Sequence, residues 1–82
     1  MNLTEESLTN REQEVYKYLL QGLSYIDIAN KLVVEKSTII THIMHVYMKK
    51  MVGNRAELMA QRIKELEEKV KELKGAKRIT RV

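Results

Sequence analysis

His42 and His45 stand three residues apart, a spacing that on a helix brings two imidazoles to one side, where they could hold a metal ion. No Asp, Glu or Cys nearby completes a ligand set, so no metal and no other cofactor is expected. The chain has no Cys, hence no thiolate nucleophile and no disulfide. Its three Gly read as helix ends and not as a loop that cradles phosphate. Carboxylates fall on charged helix faces without an isolated acid–base pair. An enzyme is therefore not expected, and what remains is binding through charge and through apolar faces.

The charge is unevenly placed. Residues 1–54 balance Arg11, Lys17, Lys31, Lys36, Lys49 and Lys50 against Glu5, Glu6, Glu12, Glu14, Asp27 and Glu35, whereas residues 55–82 hold nine basic and five acidic groups and so carry the whole net charge of +4. Met1 to Ser7 includes Glu5 and Glu6 and lacks a basic leader, and no apolar run exceeds three residues, so neither export nor a membrane span is expected. With no Cys, a cytoplasmic location follows as the expectation. At 44% hydrophobic and 32% charged, without Pro, the 82 residues are expected to form one small all-α domain.

Punctuation then divides the chain into four helices. Thr9 and Glu12 form a capping box that starts a first helix near Asn10, with Val15, Tyr16, Leu19, Leu20 and Leu23 at helical spacing and Gly22 as its left-handed end. Ser24, with Asp27 as a shorter stand-in for the box carboxylate, opens a second helix that turns Ile28, Ala29 and Leu32 inward. After Val33 and Val34, a third helix is predicted from Ser37 to about Met51, with Ile39, Ile43 and Val46 on one face. The second and third helices, joined by a tight turn, make a helix-turn-helix. Gly53 and Asn54 break the chain before a fourth helix from Arg55 to about Lys74. The expected organisation is a head over 1–54, a long dimerisation helix over 55–74 continuous with it, and a basic tail over 75–82 carrying Lys77, Arg78 and Arg81.

Met59, Ile63, Leu66, Val70 and Leu73 alternate spacings of four and three, the seam of a left-handed coiled coil. Beta-branched Ile63 and Val70 alternating with Leu66 and Leu73 favour two parallel strands, hence a homodimer. In that pairing Arg62 attracts Glu67 of a second copy, while Lys69 and Lys74 repel. Lys64/Glu68, Glu65/Lys69 and Glu67/Lys71 are expected to pair along the exposed sides. The seam could contribute about 12 to 24 kcal/mol as an upper bound, against about 4 to 15 kcal/mol for association, so dimerisation is expected to depend on concentration. The alternative is a single solvated helix packed on its own head.

Leu8-Thr9-Asn10-Arg11-Glu12-Gln13-Glu14-Val15, Gly22-Leu23-Ser24, Ile28-Ala29, Thr38-Ile39, His42, Lys49, Val52 and Asn54-Arg55-Ala56-Glu57 occur in an order that, over about residues 8 to 62, resembles the LuxR/GerE-type DNA-binding domain. The resemblance implies a four-helix helix-turn-helix head whose third helix enters the major groove of double-stranded DNA, whose second braces it and whose fourth dimerises. It thus implies a dimeric transcriptional regulator, here like the stand-alone form of the module. Carried onto this chain, it implies phosphate contacts from Lys36, Lys49 and Arg55, and hydrogen bonds to phosphate from Ser37 and Thr38. Ile40, Thr41, Met44 and His45 then face the bases.

The departures fall on that same surface. Ile40 and Met44 replace the basic or polar residues usual in the family, Glu35 replaces a capping Ser or Thr, and Tyr25 and Ile26 stand where Asn and Lys are frequent. Lys50 falls where the family buries a Leu and Met51 where it usually has Gly. Either the helix end shifts so that Met51 packs inward, or Lys50 lays its stem across the core edge. Ile40, Met44, Tyr47, Met48 and Met51 make a second apolar stripe, covered by the long helix or a second copy, or awaiting a partner. The alternative function is a protein-binding regulator, an anti-activator or co-regulator, that docks its partner on Ile40, Met44, Tyr47 and Met48 and binds DNA weakly or without sequence preference.

Overall fold

Thr9 and Ser24 set the first two helices. In the computed structural model, which describes the backbone of residues 7–81 and the side chains of residues 7–72, α1 spans Asn10–Leu20 and α2 Tyr25–Leu32. They are followed by α3, Lys36–Lys50, and α4, Arg55–Arg81. The Thr9 hydroxyl accepts from the Glu12 amide at 3.2 Å and Glu12 Oε1 accepts from the Thr9 amide at 2.9 Å, the reciprocal box the sequence predicts. Gly22, at φ 86°, supplies the left-handed residue after α1. Ser24 accepts from the Asp27 amide at 3.1 Å, but Asp27 makes no return bond, its side chain being one carbon shorter than that of Glu.

Two helix ends are left-handed without a glycine. Val33 closes α2 at φ 55° and Met51 closes α3 at φ 61°. The following amides reach back, Val34 to the Ala29 carbonyl at 3.0 Å and Val52 to that of Tyr47 at 2.9 Å, so each end satisfies carbonyls that the helix leaves open. Asn54 then caps α4, its Oδ1 accepting from the Glu57 amide at 2.9 Å, while Glu57 Oε1 accepts from the amide of Gly53, one residue before the cap, at 2.6 Å.

Val15 and Leu19 of α1, Ile28 and Ala29 of α2, and Ile39, Ile43 and Val46 of α3 form the core together with Leu58 of α4. Leu58 is fully buried and seals the head from below, one position off the Met59 seam. Beyond its first turns α4 leaves the head. The radius of gyration is 16.0 Å, whereas a chain this long packed into a sphere-like domain has about 12 Å.

Two expectations about α4 are corrected. The segment 75–82, expected as a tail, is helical in backbone as far as Arg81, and Gly75 lies inside the helix instead of at its end. One Gly costs a helix only about 1 kcal/mol relative to Ala, and the neighbouring Lys, Arg and Ala are good helix formers. Lys64/Glu68, Glu65/Lys69 and Glu67/Lys71 do not pair. Among the described residues the ion pair within α4 is Arg62–Glu65 at 3.3 Å, in keeping with how little such exposed pairs contribute. No helix among the described residues is long and apolar enough to cross a membrane.

Candidate functional site

The third helix has a buried face and an open one. At about 100° per residue, Ile39, Ile43 and Val46 point into the core while Ser37, Thr41, Met44 and Met48 centre the opposite side. Ile40 flanks that side toward α2 and His45 toward α1. Ile40 is 38%, Met44 57% and Met48 70% exposed, so neither α4 nor any other described element covers this ridge. The Thr41 hydroxyl donates to the Ser37 carbonyl at 3.2 Å. At the helix start, Glu35 occupies the cap position without a side-chain bond, leaving first-turn amides open beside exposed Lys36, Ser37 and Thr38.

Lys49 is drawn away from the open face. Its ammonium lies 2.8 Å from Glu12 Oε1 and 3.5 Å from the Ser7 carbonyl, and its side chain is 21% exposed. Glu12 is buried, so one carboxylate caps α1 and ties it to α3. The Lys49 hydrogen bond above all, then that of the Thr9 amide, holds the Glu12 carboxyl below its ordinary value despite burial. His45 Nδ1 stands 3.7 Å from the other Glu12 oxygen and keeps half its surface in solvent.

Arg55 is likewise engaged. Its guanidinium sits 5.4 Å from the Tyr25 ring centre, and its charge acts on the Tyr47 hydroxyl in the direction of ionisation, so the start of α4 meets α2 and α3 here. The Tyr25 and Tyr47 hydroxyls are 3.4 Å apart. Burial and this contact push the Tyr47 phenol up to about 12. Tyr47 therefore packs on α2 and leaves the exposed stripe to Ile40, Met44, Met48 and Met51. At the end of α3, Met51 is exposed and Lys50 places its ammonium 4.9 Å from the Tyr16 ring centre, which selects the snorkelling alternative.

Of the residues expected at DNA, Lys36, Ser37, Thr38, Ile40, Thr41, Met44 and His45 thus share one exposed surface, while Lys49 and Arg55 serve as joints between helices. On α4, Ile63, Leu66 and Val70 are 55%, 45% and 48% exposed, and Met59 is half-buried. Leu73 has its side chain outside the described residues. The sequence reading missed Leu58, the Glu12–Lys49 bridge and the Tyr25–Tyr47–Arg55 junction. Only the Thr9–Glu12 spacing hinted at any of them.

The family model for bacterial regulatory proteins of the luxR family, GerE, matches residues 6–61. Proteins provisionally named HTH-type transcriptional regulators, one from Mycobacterium bovis and two from Mycobacterium tuberculosis strains, are each 42% identical over 53 residues. That stretch is 65% of this chain but only 6% of each relative's length.

Proposed function

Because the chain belongs to the luxR family of bacterial regulatory proteins, DNA-binding regulators of transcription, we propose that it works as a homodimer that inserts α3 of each head into the major groove. The observation that carries this reading is the open face of α3, which runs from Lys36 to Met48 clear of the head while the opposite face is the core. Lys36, Ser37 and Thr38 with the uncapped amides of the first turn meet a phosphate and set the register. Ile40, Thr41, Met44 and His45 follow along the groove. Projecting α4 meets the second copy, where Ile63, Leu66 and Val70, exposed in the single chain, are buried against its helix. Two heads joined in this way read half-sites about one DNA turn apart.

Mixing the protein with sheared genomic DNA at two salt concentrations, then sequencing the retained fragments, tests this function. A two-fold symmetric motif, retained less as salt rises, is the expected result; retention of no sequence at either salt refutes it. Exposure of Met44 and Met48 favours a second reading, a regulatory protein docked on α3, and that reading predicts the refuting result.

A further inference from the structure

The open face of α3 lacks the side chains that ordinarily distinguish one base pair from another. From Ser37 to Met48 the helix carries no Arg, Lys, Asn, Gln, Asp or Glu, the residue types whose side chains hydrogen-bond base edges most selectively. Thr41 gives its hydroxyl proton to the Ser37 carbonyl, and Tyr47 is turned onto Tyr25. What the face presents is a ridge, Ile40, Met44 and Met48, at successive spacings of four, increasingly exposed toward the C-terminus.

In the major groove one feature of the four standard bases is apolar, the 5-methyl group of thymine. A ridge of Ile and Met gains by covering that methyl. It loses against cytosine, whose amino group would be pressed on a hydrocarbon surface without an acceptor. The sulfur-containing, unbranched methionines adapt to methyls at slightly different positions, so the same ridge fits more than one arrangement of thymines.

Resting on the DNA-binding reading above, we infer that this protein selects its sites by thymine 5-methyl groups, read in each half-site by Ile40 and Met44. Met48 extends the same contact along the groove. The ligand class is duplex DNA whose half-sites place clustered thymines in the major groove opposite α3. Orientation and phosphate contact come from the other residues of the surface, and discrimination comes from hydrocarbon.

Replacing thymine with uracil removes the methyl and leaves every base-pair hydrogen bond in place, which isolates the proposed contact. Sites are first selected from a random duplex library with the full chain. Binding of the best site is then compared with thymine and with uracil at the half-site positions. Thymine-rich half-sites are expected, with affinity falling about fourfold per methyl removed, from roughly 0.8 kcal/mol per buried carbon, and roughly 200-fold for two in each half-site. Ile40→Ala and Met44→Ala should bring the thymine-to-uracil ratio close to one while the slope of affinity against salt stays as it was, since phosphate contacts persist. Met44→Gln, equally long and still helix-favouring, should lower the thymine-to-uracil ratio as far as Met44→Ala does, Ile40 keeping its share, which separates apolar contact from bulk. Equal binding of thymine and uracil sites by a protein that still selects a sequence overturns the methyl reading alone. Failure to select or retain any DNA overturns the DNA-binding reading with it and turns attention to a protein partner of the ridge.

Discussion

Glu12→Gln keeps the side chain's size and an oxygen for the Thr9 amide, but removes the charge that holds Lys49. Glu12 is 6% and Lys49 21% exposed in their side chains, with 2.8 Å between the paired atoms. A surface pair would contribute about 0 to 1 kcal/mol and breaking a fully buried one costs about 3 to 5 kcal/mol. Partial burial and one charge-assisted hydrogen bond place the loss near 2 kcal/mol. For a domain this small that is a drop in Tm of about 8 to 16 °C. Thermal unfolding followed by circular dichroism, at one fixed protein concentration, measures it.

The same substitution has a signature in pH. Glu12 titrates below its ordinary value of 4.5 in the folded chain, so the unfolded chain binds the proton first as pH falls. The stabilisation is complete above that value and is lost as pH drops through the folded-state value. Wild type and Glu12→Gln should therefore differ most near neutrality and converge in acid. Lys49→Met leaves the carboxylate buried without its cation and should cost at least as much as Glu12→Gln, and the double variant should cost less than the sum. Parallel pH curves for wild type and Glu12→Gln, or additive single and double variants, would refute the bridge.

Val33 holds a left-handed conformation at φ 55° and is 87% exposed, so Val33→Asn should raise stability by about 1 kcal/mol, and a lower Tm would contradict this. Ile63→Ala combined with Leu66→Ala should halve the mass measured by light scattering while the head stays folded; an unchanged mass would reject the seam as the dimer contact. In an alkaline titration followed by phenolate absorbance, Tyr47→Phe should remove the component that ionises near 12, and persistence of that component would assign it elsewhere.

The helices were legible because their signals are local. Thr9 and Glu12, or Ser24 and the Asp27 amide, meet within one turn, and the apolar spacing of Val15 and Leu19, of Ile28 and Ala29, and of Ile39, Ile43 and Val46 follows the helical repeat directly. Legibility fails where packing overrides local preference. Nothing in Val33 or Met51 announces a left-handed turn; the core that α2 and α3 must share imposes it. Leu58 hides beside a more regular pattern, because only its second contact, with the head, distinguishes it from the seam residue Met59.

The binding face was harder to read because a charge has no fixed meaning until its partner is known. Lys49 resembles a phosphate contact in the chain, yet Glu12, 37 residues away, claims it, and aromatic rings take Lys50 and Arg55. Among the described residues this leaves Lys36 as the α3 cation with neither a carboxylate nor a ring beside it. With so few free charges, the proposed complex is expected to release few counterions and to show a shallow salt slope. Two consequences follow from one cause. In the proposed dimer, pairing of two heads through α4 doubles the few charges that a single head offers to phosphate. In the proposed complex the remaining selectivity falls to Ile40 and Met44, the exposed apolar residues of α3.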